Sequence, residues 1–399
     1  MQYILFDGPV RKQMLPFAHT RPVADIRCGI LTLRERWEYL LGNTTTTLTE
    51  DYLQNAFPST ATNDNNIYIN GAIIANEELV AAISILQPEE ALIQDSTVIA
   101  VKTASVLQHE KELEFIQNNC KTISYGGPLF QLNNVWDVFA QNEKALRADF
   151  ELLTKNKSTQ QLPNYVTAIG KANIFIEEGA KIYPCIINAE AGPVYIGKDA
   201  EVMEGAIIRG PFALGEHATL KMGAKVYGGT TIGPSCKVGG EISNVVFFAN
   251  SNKGHDGFLG NAVIGEWCNL GADTNCSNLK NNYDEVKIWS EHQNKSIKTG
   301  LQFCGLLMGD HSKCGINTMF NTGTVVGVAC NIYGGGFPPT FIPSFSWGGA
   351  ENMVTHRIEK ALDTANRMMT RRNKSLSKAE ENVLQYIFDK TTKQRELFN

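Results

Sequence analysis

The sequence predicts a mixed α/β region over residues 1–160, a parallel β-solenoid over 161–335, and a loop with a helical tail over 336–399. Three observations carry this. Eight aliphatic residues stand six apart without a miss: Ile196, Val202, Ile208, Leu214, Leu220, Val226, Ile232 and Val238. Neither a helix nor an ordinary strand has that period, so the chain must turn a corner every six residues and coil. Small residues (Ala200, Ala206, Ala218, Ala224, Thr230, Cys236) follow most anchors at the fourth position, where a narrow corner tolerates little else. A second run in steps of six, Met308, Cys314, Phe320, Val326 and Ile332, resumes the beat.

Along the first region, Gln2–Phe6 reads as a short buried strand broken by Asp7-Gly8-Pro9, and a basic loop then runs from Arg11-Lys12 to Arg21-Pro22. Asn66–Asn70 is a second strand, ended by Gly71. Trp136 to Leu153 has helical spacing, with Val138, Phe139, Leu146, Phe150 and Leu153 on one face. Polar Lys155–Gln161 reads as a linker. The coil begins near Ile169 and Ile176, loosens over Gly240–Ala262, returns at Ile264 and Leu270, and is interrupted again from Ser277 to about Cys304. Loops thrown out of a rigid stack are where binding residues are displayed. The stretch Gly334 to Pro343 is expected to end the coil. In the tail, Val354, Ile358, Ala361, Leu362, Ala365 and Met369 share a helical face, and Ser377 with Glu380 has capping-box spacing before a second helix.

A net charge of −5 and 19% charged residues argue against nucleic acid as the main partner. No stretch approaches the roughly 20 apolar residues of a membrane span, and the expected location is cytoplasmic. The cysteine count is nine, with no C-x-x-C pair, which suggests neither a zinc knuckle nor a disulfide framework. Cys236, Cys268, Cys314 and Cys330 fall at anchor or small positions and read as packing residues.

The six-residue repeat resembles the left-handed parallel β-helix of hexapeptide acyltransferases. Within that group, Lys253-Gly-His-Asp-Gly-Phe-Leu-Gly260 followed by Ile264-Gly-Glu-Trp-Cys-Asn-Leu-Gly-Ala-Asp-Thr274 is similar to the bifunctional N-acetylglucosamine-1-phosphate uridyltransferase and glucosamine-1-phosphate acetyltransferase family, whose pattern reads roughly K-x-G-H-x-x-Y-x-G-D and then I-G-x-x-x-N-x-G-A-G-T. The resemblance implies N-acetyl transfer from acetyl-CoA to an amino-sugar 1-phosphate, in a homotrimer. His255 would be the general base; a neutral imidazole, with an ordinary pKa of about 6.5, suits that role. Asn269 and Asn278 would contact the sugar, and the backbone around Ala272 would face the thioester. Lys221 stands where the family has an arginine that holds the sugar phosphate, keeping the charge without the bidentate fork. Phe258 replaces a family tyrosine and Asp273 a glycine, while Lys280 and Lys287 both compete for the place of a family lysine. The remaining histidines lack such surroundings; His311 sits inside the repeat as a surface position. Asn269 and Asn278 also fit an asparagine ladder stacked along the coil.

The N-terminal region resembles a worn form of a Rossmann-like sugar nucleotidyltransferase domain, whose start reads L-A-A-G-x-G-x-R and then P-K. Ile4-Leu-Phe-Asp-Gly8, Arg11 and Arg21-Pro22 carry the likeness, with Val23 in place of the lysine. Glycine there lets backbone N–H groups wrap phosphates, so Gly8, Arg11, Lys12 and Arg21 are the nucleotide-binding candidates. Asn70 and Asn134 stand nearest the family's positions for Mg²⁺. Two readings stay open for this domain: transfer of a nucleotide from a nucleoside triphosphate to a sugar 1-phosphate, or a silent scaffold. For the chain as a whole the rivals are a nucleotidyltransferase whose coil serves assembly, and a non-enzymatic trimerisation scaffold.

Overall fold

The computed structural model describes residues 2–396. It divides into two compact units, one of Met1–Ile26, Leu31–Val135 and Lys378–Val383, the other of Arg27–Ile30, Trp136–Ser377 and Leu384–Asn399.

The first unit is built on six strands: β1 (Gln2–Phe6), β2 (Thr46–Leu48), β3 (Asn66–Asn70), β4 (Glu90–Gln94), β5 (Thr97–Thr103) and β6 (Lys121–Ser124), in the order β2-β1-β3-β5-β4-β6. The two strands read from sequence appear with the bounds expected. The β2-β1-β3 group is parallel, β5 runs antiparallel to both β3 and β4, and β6 is again parallel to β4, so the sheet is mixed. Ile4, Leu5 and Phe6 of β1 and Ile67, Tyr68 and Ile69 of β3 are all buried. Apolar residues in succession mark strands covered on both faces. The helix Leu33–Leu41 starts with a reciprocal Thr32/Glu35 capping box and stops at Gly42 in the left-handed conformation. Its Trp37 donates to the Ile73 carbonyl at 3.0 Å.

The second unit is the parallel β-solenoid. Each strand pairs with the one a full turn of the coil on: Val194 with Phe212 and Phe212 with Thr230 on one face, Ile186 with Ile207 on another, Glu201 with Thr219 on the third. The six-spaced anchors point inward and are buried, as are the small corner residues. The four cysteines read as packing residues are free and buried, and burial pushes the Cys236 and Cys330 thiols up to about 12, which makes them inert.

The segment read as a single helix from Trp136 is two, Asp137–Ala140 and Asn142–Thr154. Asn142 docks it on the coil: its amide donates to the Gly229 carbonyl at 2.8 Å and to Thr231 Oγ1 at 3.1 Å, and its oxygen accepts the Gly29 N–H at 2.7 Å. The loosened stretch contains two seven-residue strands, Glu241–Phe247 and Phe258–Ile264, each running around a corner, with the short strand Asn252–Lys253 between them. The polar excursion after Ser277 contains an antiparallel hairpin, Lys287–Ser290 with Lys295–Lys298.

Two expectations for the C-terminal part are corrected. The Gly-Pro stretch does not end the coil, because Phe341–Ile342 pairs with Val325–Val326 and Ser346–Gly348 pairs on from Asn331–Ile332. Val354 lies not in a helix but in the strand Met353–Thr355, antiparallel to Ser346–Gly348. The helix begins at Ile358 and buries Ala361, Ala365 and Met369.

Candidate active site

Three of the residues singled out from sequence share one edge of the coil. Lys221 follows the strand Thr219–Leu220, His255 follows Asn252–Lys253, and Ala272 follows Asn269–Leu270, each at the corner that leads to the next face. Close backbone stacking brings these corners together. A Cβ added to Gly239 would meet Lys221 Cβ and the Gly254 carbonyl, each at 3.1 Å, and one on Gly257 would lie 2.2 Å from the Thr274 carbonyl. Gly257 has φ +110°, a conformation that side chains resist. The corner of Ala272 is anchored onward, its carbonyl accepting the Asn317 N–H at 2.8 Å.

His255 is exposed, and among the described residues no side chain bonds its imidazole. The residue two places earlier was not singled out from sequence, and the structure makes it prominent. Lys253 lies in the interior at 0% exposure, and its ammonium donates to the carbonyls of His255 (2.9 Å), Asp256 (3.0 Å) and Gly239 (3.4 Å). Burial pushes its pKa down to about 8, against the pull of Asp256, Asp273 and Cys314. The visible signal was a lysine beside a break in the beat.

Next to this edge, Phe258 and Asn278 come together over Gly260. A Cβ there would lie 2.7 Å from the Phe258 ring and 2.6 Å from the Asn278 amide nitrogen, so only glycine leaves room for both. Asn278 donates to Asn261 Oδ1 at 2.8 Å. The Phe258 N–H donates to Asn275 Oδ1 at 2.7 Å, which makes Asn275 another residue the sequence reading passed over. Asn269 does form an asparagine pair: it is opposite Asn252, whose amide reaches Asn269 Oδ1 at 3.5 Å and whose oxygen accepts from Arg372 at 3.0 Å. Lys280 is engaged inside the excursion, donating to the Glu285 carbonyl at 2.7 Å, while Lys287 is exposed on the hairpin. His311 stacks on Trp267, with ring centroids 6.4 Å apart.

In the first unit, Asp7 ends β1 as a buried carboxylate. It accepts the Val23 N–H at 2.6 Å, the Thr49 hydroxyl, and Arg11 at 2.8 Å. Arg11 is buried too and places every one of its donors: on Asp7, on Glu50 (3.3 Å), on the Arg21 carbonyl (3.0 Å), on Tyr52 (2.9 Å) and on the Ala18 carbonyl. Burial alone would lower its pKa; Asp7, Tyr52 and Glu50 outweigh it and raise it.

Residues 3–158 match the family described as sugar nucleotidyl transferase. The N-terminal domain is similar to that family over this stretch. Part of the chain is also similar to bifunctional transferases. It is 27% identical over 217 residues to the bifunctional sugar-1-phosphate nucleotidylyltransferase/acetyltransferase of Sulfurisphaera tokodaii, covering 54% of this chain and 47% of that one. It is 26% identical over 244 residues to the bifunctional protein GlmU of Methanococcus aeolicus, covering 61% and 49%. The chain thus spans about half the length of these archaeal relatives. A putative uncharacterized acetyltransferase, YaiX of Escherichia coli K12, is 29% identical over 177 residues, 44% of this chain and 74% of that one. Among solved structures, the polySia specific acetyltransferase NeuO is similar at 13% identity, covering 52% and 93% with a TM-score of 0.29. With a score that low, the coil is established by its own strand ladder.

Within the N-terminal domain, the phosphate-loop candidates form a closed arrangement. Gly8 has φ +61° and opens the short 3₁₀ turn Pro9–Met14, which permits the fold-back that Arg11 secures. Arg11 acts as a clasp, with all five of its donors placed on protein acceptors. Arg21 is buried, and Lys12 is exposed and paired with Glu110 at 3.0 Å. Asn70 also departs from expectation: its amide donates to the Val98 carbonyl at 3.1 Å and its oxygen accepts the Ala72 N–H at 3.0 Å. Asn134 is half-buried ahead of the helix Asp137–Ala140. Among the described residues, no group of three or more His, Cys, Asp or Glu side chains could hold a metal. No helix among them is long and apolar enough to cross a membrane.

Proposed function

We propose that the coil catalyses N-acetyl transfer from acetyl-CoA to an amino-sugar 1-phosphate, glucosamine 1-phosphate first among them, with His255 as general base. The observation that carries this reading is an exposed, unbonded imidazole on a loop that glycines and a buried lysine hold against the Ala272 corner. The sugar amine attacks the thioester carbonyl carbon and gives its proton to His255. The C–S bond then breaks, and coenzyme A leaves with that proton as the thiol. Backbone around Ala272 faces the carbonyl whose oxygen gains charge. Lys221, on the same edge, supplies the cation for the sugar phosphate, and Phe258 with Asn278 borders the acceptor.

The expected homotrimer agrees with the face that starts from this edge. Its outward residues include Ile186, Ile207, Tyr227 and Met319, all substantially exposed, and a second copy would cover them. For the nucleotidyl transferase domain, transfer of a nucleotide from a nucleoside triphosphate to a sugar 1-phosphate remains the family's reading. The closed Arg11 clasp favours the alternative of a scaffold that no longer grips phosphate.

Coenzyme A release measured across a panel of amino-sugar phosphates, with His255→Ala beside the wild type, tests the acetyl reading. No release from any acceptor would overturn it in favour of an assembly role for the coil. Pyrophosphate release from nucleoside triphosphates with Mg²⁺ tests the N-terminal domain, and silence across the panel would leave the scaffold.

A further inference from the structure

The inward positions of the face that leads to the His255 edge run Val202, Leu220, Val238, Lys253, Leu270, Cys314 and Ile332. Six of the seven are uncharged. An ammonium in such a column is costly unless its hydrogen bonds are complete, so its presence asks for a reason. The bonds are complete: a protonated amine has three donors, and Lys253 finds three carbonyl acceptors, on Gly239, His255 and Asp256. The space is made by Gly240, at φ +78°, where a Cβ would lie 2.9 Å from the amine. Two of the three acceptors belong to the loop that carries His255, and that loop's side chains are exposed, so packing does little else to hold it.

We propose that Lys253 is a positioning residue: from inside the coil its ammonium clamps the backbone of His255 and Asp256 and so fixes the direction in which the imidazole leaves the edge. This rests on the reading of His255 as the base, although the clamp itself does not. Three acceptors match the charged form only. A neutral amine has two N–H groups and a lone pair, which would face one of the carbonyls. The groups that face the amine are Asp256, Asp273 and Cys314, and with burial they place its titration at about 8, within reach of ordinary buffers. The loop is therefore held tightly below that pH and released above it.

The test compares wild type, Lys253→Met and His255→Ala by backbone hydrogen exchange and by steady-state acetyl transfer. The amides of Glu241 and Phe258, which donate to the Gly257 carbonyl and to Asn275 at the end of this loop, report its tightness. In Lys253→Met they should lose protection at least tenfold while the coil on either side keeps its own. The kcat should fall about 10- to 100-fold with the KM for acetyl-CoA changed less than threefold. In wild type, with rates corrected for intrinsic exchange, the same two amides should lose protection as pH rises through about 8. That measurement needs no variant and serves if Lys253→Met does not fold. Unchanged protection of both amides in both experiments would overturn the clamp. Loosening of the loop alongside full activity of His255→Ala would instead overturn the base reading, and with it the catalytic purpose assigned to Lys253.

Discussion

Replacing Lys253 by methionine should stabilise the coil while lowering activity. The side chain keeps its length and fills the same interior column, but the buried charge is gone. In an unfolded chain the amine titrates at 10.5, and inside the coil at about 8. At roughly 1.4 kcal/mol per tenfold, holding the charged form in the fold costs about 3 kcal/mol. The carbonyls of Gly239, His255 and Asp256 lose a donor in the variant, which offsets part of that cost, so the net gain at pH 7 is at most about 3 kcal/mol. The sign of the pH trend follows from proton counting. Between pH 8 and 10.5 the unfolded chain binds more protons than the folded one, so raising pH favours the fold. The wild-type penalty is complete below pH 8 and gone above 10.5. Denaturant titrations at pH 7, 9 and 10.5, followed by far-ultraviolet circular dichroism, should show a gap between the two proteins that closes with pH. The cysteines and Lys313, whose own pKa is pushed down to about 8 by burial, are common to both proteins and cancel in the difference. A variant less stable than wild type at pH 7, or a gap that stays constant to pH 10.5, would refute the reasoning.

His255→Ala should lower kcat for acetyl transfer by about 10²- to 10⁴-fold, the range of general-base catalysis, with the fold unchanged by circular dichroism. Asn142→Ala leaves the Gly29 N–H and the Gly229 carbonyl without their partner in a buried setting, and should cost about 2–3 kcal/mol in denaturant titration of the coil. Arg11→Met removes the cation beside buried Asp7, and should destabilise the N-terminal domain by about 3–5 kcal/mol. Lys12→Ala, on an exposed pair, should change stability by no more than about 0.5 kcal/mol. Equal effects at the two positions would contradict the clasp.

The coil was legible because a six-residue beat is a local pattern with one physical solution: each anchor must be buried, and only a chain that turns every six residues buries them all. His255 was legible for a related reason, since its string of glycines falls in a lapse of that beat. What the linear pattern cannot express is which atoms meet across repeats. The pairing of Phe341–Ile342 with Val325–Val326 outweighs the prolines between them and continues a coil that composition alone would have ended. Arg11 in a basic loop reads as a phosphate ligand until Asp7, Glu50 and Tyr52 are seen to take its donors. Only the ladder shows that Lys253 is turned inward.

Sequence by itself determined the architecture, the inward column and the loop bearing the histidine, because burial periodicity and glycine conformation act within a few residues of one another. Tertiary structure alone decided the charge inside the column, the closed loop after β1 and the meeting of Phe258 with Asn278. Each depends on the distance between groups far apart in the chain, where the strength of a hydrogen bond or an ion pair is set.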